Sequence, residues 1–150
     1  MLQQRIVLLA VLALLLPVEA ALAETPVEAA RRWELIGTWR FNCNAPPDKI
    51  DNVATYTVRG NRLYHDRNWG SGTDSSVVSS ATIRPDGTLD LLINFTSLSQ
   101  TRENIFRKTP DGRVLTLVSR NVDNDEHTIK DGKVVGSGNP MTLLTRCSVP

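Results

Sequence analysis

The chain has 150 residues, with 17 Lys or Arg against 16 Asp or Glu, a formal net charge of +1. So even a balance argues against nucleic-acid binding as its main business, because that needs a concentrated basic face. An even count of 2 cysteines favours one disulfide if the chain is exported, with two free buried thiols as the alternative.

Export is what the first residues predict. Met1 to Arg5 carry a positive charge, Ile6 to Leu16 form an uncharged apolar run, and Ala21-Leu22-Ala23 is a small-residue cleavage pattern. These are the three parts of a secretory signal peptide over residues 1–23. The run falls short of the roughly 20 residues a spanning helix needs, so no stable membrane anchor is expected after cleavage. Residues 24–150 would remain, a length that suits one domain. Losing Arg5 and Glu19 leaves the charge balance unchanged.

Glu24 to Leu35 is rich in Ala and charge, with Val27, Ala30, Trp33 and Leu35 in an uneven apolar stripe. A short helical segment is expected there, with Trp33 covering one end of the core. From Ile36 the period changes to two. Trp39, Phe41 and Cys43 alternate with Thr38, Arg40 and Asn42, the pattern of a half-buried first strand. Pro46-Pro47-Asp48 then imposes a loop.

The chain turns to strand again at Val53, with Ala54, Tyr56 and Val58 on one face. Gly60-Asn61 is a tight turn, and Leu63 to Asp66 returns. A glycine-rich loop from Arg67 to Asp74 holds Trp69. Ser75 to Arg84 follows, with Val77, Ser79, Ala81 and Ile83 read as one face. Pro85-Asp86-Gly87 is a hairpin turn into the regular alternation of Leu89, Leu91, Ile93 and Phe95. Arg102 to Lys108 and Val114 to Arg120 are joined by a second Asp-Gly turn, and Glu126 to Lys130 and Lys133 to Val135 by a third. Gly136 to Pro140 breaks the chain, and Met141 to Cys147 is the last strand.

Short strands at even spacing, joined mostly by turns, describe an all-β meander, sandwich or barrel. A Cys43–Cys147 disulfide would place the first strand beside the last. This favours a closed antiparallel up-and-down barrel of 8–10 strands, with a Greek-key sandwich as the alternative.

Gly37-Thr38-Trp39 resembles the G-x-W element of the lipocalins and the wider calycin group. The resemblance implies a calycin-like barrel with Trp39 closing one end. It also implies a basic residue near the last strand packing across that indole: Arg146 first, Arg120 second. A carrier of a small apolar ligand is the function it implies. Periplasmic protease inhibitors share a small barrel with an early G-x-W and a disulfide, and the same residues resemble them equally.

The chemistry-bearing residues are sparse. His65 neighbours Asp66, but adjacent strand residues point to opposite faces, and there is no G-x-S-x-G elbow. Asp123, Asp125 and His127 lie two apart in a polar turn, which is read as a solvated hairpin end rather than a cation site. Asn94-Phe95-Thr96 fits the glycosylation pattern in mid-strand, where use is not expected.

The reading is therefore a periplasmic or secreted binding protein, non-catalytic and without a cofactor or metal. Tyr56 and Trp69 are the candidates for ligand or partner contact, Trp69 as a lid where the two longer loops flank the barrel mouth. The alternative is an inhibitor or accessory subunit acting on an envelope protein partner.

Overall fold

A computed structural model describes residues 24–148. The secretory leader expected over residues 1–23 lies outside the described residues. Helix α1 (Pro26–Arg32) starts with a capping box: the Thr25 hydroxyl accepts from the Glu28 N–H at 3.2 Å, and the Glu28 carboxylate accepts from the Thr25 N–H at 2.8 Å. Pro26 occupies the first turn, where a missing N–H costs nothing. Val27, Ala29 and Ala30 are buried, and Trp33 terminates the helix.

Ten strands follow in one antiparallel sheet. They are β1 (Gly37–Arg40), β2 (Val53–Arg59), β3 (Arg62–Asn68), β4 (Thr73–Ile83), β5 (Leu89–Phe95), β6 (Gln100–Lys108), β7 (Val114–Asn121), β8 (His127–Lys130), β9 (Lys133–Val134) and β10 (Thr145–Ser148). Consecutive strands are neighbours from β1 to β9, and β10 returns to lie beside β1. The up-and-down meander expected from the turn spacing is the observed topology.

Closure of that meander is not what the ladder shows. Its order runs β10-β1-β2 through to β9, so β10 and β9 are two open ends. Cys43 and Cys147 do stand at disulfide distance, their Cα atoms 5.4 Å apart. Their pairing makes the first and last strands neighbours, but a barrel also needs a second seam. Along that seam the final segment makes one two-bond bridge to β7: Val114 N–H donates to Leu144 at 2.9 Å, and Leu144 N–H to Val114 at 2.7 Å. The physical reason is local. β9 has only two residues before Gly136 to Pro140 interrupt it, leaving too little regular edge for a continuous ladder.

Two further differences concern strand faces. β1 ends at Arg40 because the chain turns away there: the Asp51 carboxylate accepts from the Phe41 N–H at 2.8 Å and the Asn42 N–H at 3.2 Å. In β4 the register shifts between Val78 and Ser80. This bulge changes the parity of the strand, so Ser76 and Val78 are buried before it, Ala81 is buried after it, and Ser79 is exposed. The face read as Val77, Ser79, Ala81 and Ile83 is thus two half-faces.

The antiparallel order sorts the connections into two ends. At one, the strands are joined by short turns at Gly60-Asn61, Arg84 to Thr88, Thr109 to Arg113 and Asp131-Gly132. Helix α1 packs on β3 and β4 there. Trp33, 5% exposed, donates its indole N–H to the Gly87 carbonyl at 2.9 Å, and Lys108 lies 5.1 Å from its ring centroid. At the other end lie the two long connections 41–52 and 135–144, together with the shorter ones 69–72, 96–99 and 122–126.

Candidate functional site

The inner face of the curled sheet encloses a cavity of about 370 Å³. Its wall takes residues from strands as far apart in the ladder as β1 and β8, and from the segment before β10. Leu35, Trp39, Phe106, Val114 and Leu144 form the deeper, apolar part, at the level of the helix-bearing end. Phe41, Ile50, Asp51, Leu98 and Thr128 lie at the end with the long loops. Of the last segment, Leu144 lines the cavity and Leu143 does not.

Tyr56 belongs to this wall and is buried. Its ring stacks on His65 at 4.8 Å between centroids and meets the Phe106 ring edge-on at 6.4 Å. His65 in turn meets the Phe95 ring edge-on at 5.6 Å. Desolvation pushes the Tyr56 phenol well above its usual value. Burial, reinforced by the field of Arg67, lowers His65 to about 4. His65 is neutral at pH 7, and its Nδ1 has no hydrogen-bond partner among the described residues. Among the described residues no carboxylate or hydroxyl is hydrogen-bonded to the His65 ring, so no nucleophile–base pair centres on it there.

Trp69, the other contact candidate, is placed elsewhere. Its indole lies on the backbone of Gly72, where a Cβ would come within 2.8 Å of the ring. It does not line the cavity. Arg67 stands between: its guanidinium carbon is 5.7 Å from the Trp69 centroid and 4.4 Å from that of Phe95, and Arg67 itself lines the wall. Trp69 therefore braces a cavity residue instead of covering the opening. Gly72 gives the indole a flat seat on its own loop, away from the cavity wall on which a lid would close.

The Arg146 guanidinium carbon lies 5.7 Å from the Trp39 ring centroid. Arg146 also donates to the Ile36 carbonyl, while the Trp39 indole N–H donates to Leu35 at 2.7 Å. The alternative partner, Arg120, is engaged by Glu103 and Asp125, each at 2.9 Å.

The rim is held in place from several sides. Arg40, buried beneath the 41–52 connection, donates to Ala45 at 2.6 Å and to the Asp51 carboxylate at 3.0 Å. Asp48 accepts from the Ile50 and Asp51 N–H groups, each at 2.7 Å. Gly70, at φ +81°, allows the Pro47 carbonyl to approach within 2.7 Å of where a Cβ would be. The loops after β1 and β3 therefore touch. Ile50 and Leu98 remain 81% and 50% exposed on this rim.

Two arginines line the cavity, and their surroundings differ. Arg67 donates through Nε and Nη2 to Asp74, whose carboxyl this bidentate pair holds below its ordinary value. Arg102 meets only neutral oxygens: Thr128 Oγ1 at 2.9 Å, the Ser119 carbonyl at 3.2 Å, and Ser119 Oγ and Gln100 Oε1 at 3.3 Å. Partial burial lowers the Arg102 pKa, opposed by the field of Glu126. Neither Arg67 nor Arg102 was marked as a contact residue by the sequence. The signal was parity: Arg102, Asn104 and Phe106 alternate with Glu103, Ile105 and Arg107, tying Arg102 to the aromatic face.

At the acidic turn, Asp125 is bound to Arg120, and His127 Nδ1 lies 2.9 Å from the Asp125 carbonyl. Among the described residues no group of three His, Cys, Asp or Glu is placed to hold a metal, and no helix is long and apolar enough to cross a membrane.

The fold and cavity define the class: an all-β antiparallel sheet curled around an interior with one plugged and one open end. Comparison with protein-family models, curated proteins and solved structures finds no match for this chain.

Proposed function

We propose that this chain is an exported, calycin-like binding protein that takes a small, mainly apolar molecule into its cavity and does not transform it. The observation that carries the reading is the cavity: about 370 Å³, walled by Trp39, Tyr56, Phe95, Phe106 and Leu144, with its opening among the long loops. Ligand sites commonly begin near 300 Å³ and combine apolar walls with a few placed polar groups. Asn104, Thr116 and Ser119 supply such groups. The bridge between Val114 and Leu144 acts as the incomplete second seam of a calycin-like barrel. The Cys43–Cys147 pair supports an oxidising compartment such as the periplasm.

A second reading has its own support. Ile50 and Leu98 are large apolar side chains on a braced rim, and such groups mark docking surfaces. An envelope protein partner seated on that rim is the competing function.

The test is titration with the uncharged dye N-phenyl-1-naphthylamine, comparing the wild type with Ala54→Phe. Ala54 lines the cavity, so the larger side chain occupies ligand space. Saturable fluorescence enhancement in the wild type and at least a roughly tenfold weaker response in the variant are expected. Equal responses would place the dye outside the cavity and remove the carrier reading.

A further inference from the structure

The charges around the cavity do not cancel. Asp51 is neutralised by Arg40, and Arg67 by Asp74. Arg102 has no carboxylate within 4.0 Å among the described residues. A guanidinium has five N–H donors, and three of the four contacts Arg102 makes are 3.2 Å or longer. This leaves one donor unused and three of the other four weakly engaged. A partly buried cation with only neutral partners is in an unfavourable setting that an anion would relieve.

Position supplies the second half of the argument. Arg102 is the third residue of β6 and Arg67 the sixth of the seven in β3, so both stand at the loop-bearing half of the sheet. Phe95 connects them: it carries the Arg67 guanidinium 4.4 Å above its ring and pairs in register with Gln100, which accepts from Arg102. Asp74 occupies Nε and Nη2 of Arg67, leaving its Nη1 without a partner among the described residues. Below this level the wall is mainly apolar, with Tyr56, Phe106, Val114, Leu144 and Trp39, and with His65, Asn104 and Thr116 as its polar members.

Building on the carrier reading, we infer that the cavity's ligand is a single-chain amphiphile with an anionic oxygen head group, seated head-outward on Arg102 with Arg67 Nη1 as a second donor and its tail against Tyr56, Phe106 and Trp39. A carboxylate, sulfate and phosphate monoester share this chemistry. Arg102 selects the charge, and the aromatic wall selects the tail.

The experiment is calorimetric titration with dodecanoate, dodecyl sulfate and dodecyl phosphate, each below its micelle-forming concentration, and with methyl dodecanoate by displacement of N-phenyl-1-naphthylamine. In the wild type at least one anion is expected to bind about tenfold or more tighter than the ester, a factor appropriate to a charge-assisted pair. The tightest anion names the head group. Arg102→Gln should abolish that preference while leaving ester binding within about twofold, and Arg107→Gln, on the same strand but exposed, should change neither. Wild-type binding of acid and ester with equal affinity would overturn the head-group assignment and leave the carrier reading standing. So would a preference that survives Arg102→Gln. Failure of every probe, the uncharged dye included, would overturn both. The acid-to-ester ratio in the wild type decides the matter even if the Arg102 variant does not fold.

Discussion

The two ends of this sheet are built on opposite plans. At the helix-bearing end every connection is a short turn, and α1 lays Val27, Ala29 and Ala30 against the core. Trp33 is locked there by its bond to Gly87. At the other end two connections, 41–52 and 135–144, are long, two large aliphatic side chains face outward, and the cavity reaches the surface. Yet the open end is not loose. Arg40, Asp48, Asp51, the Pro47–Gly70 approach and the Cys43–Cys147 pair brace it. The difference teaches where the molecule spends apolar contact. One end is filled to hold the sheet together, and the other is braced through polar and covalent links so that its apolar surface stays free.

That contrast can be broken by substitution. Trp33→Ala should cost about 3–5 kcal/mol, the usual penalty for emptying a buried aromatic site. Its effect on dye affinity should be small, because Trp33 does not line the cavity. Ile50→Ser should leave stability within about 0.5 kcal/mol of the wild type, as expected for a residue so exposed. Urea unfolding measures both, and a large stability loss from Ile50→Ser would show that the rim is part of the core.

The pH dependence sharpens the same contrast from inside the cavity. His65 has a folded value of about 4 against an ordinary 6.5. The unfolded chain therefore binds the proton first as pH falls. The stability this neutral histidine contributes is fully present above about pH 6.5 and is lost progressively down to about pH 4. Between pH 7 and pH 5 the loss should be about 2 kcal/mol. His65→Phe should flatten that window in urea unfolding, and an unchanged slope would mean that His65 is not the group responsible.

Much of this architecture was legible from the sequence. The Asp-Gly turns and the alternation of Leu89 to Phe95 located the strands, and the two cysteines located the neighbours β1 and β10. What escaped has physical causes. The β4 bulge leaves no mark in a period-two pattern, so the sequence puts Ser79 on one face with Ala81. The missing second seam depends on how far a two-residue β9 extends, which no local propensity records. The inward position of Tyr56 was legible because a ring on an apolar face is easy to read. Arg67, Arg102 and His65 were passed over because polar residues on a strand look solvent-facing unless parity ties them to aromatic neighbours. Trp69 looked like a lid because a tryptophan in a glycine-rich loop is equally suited to covering an opening or lying flat on its own backbone.

The central claim is that the braced, open end admits a small molecule. Native mass spectrometry of the protein purified from the cells that make it tests this most directly. The account predicts a non-covalent organic adduct of low mass, released on collisional activation and acidic in negative-ion mode. Recovery only as a complex with another polypeptide, or as bare chain that also fails to take up the uncharged dye, would contradict it.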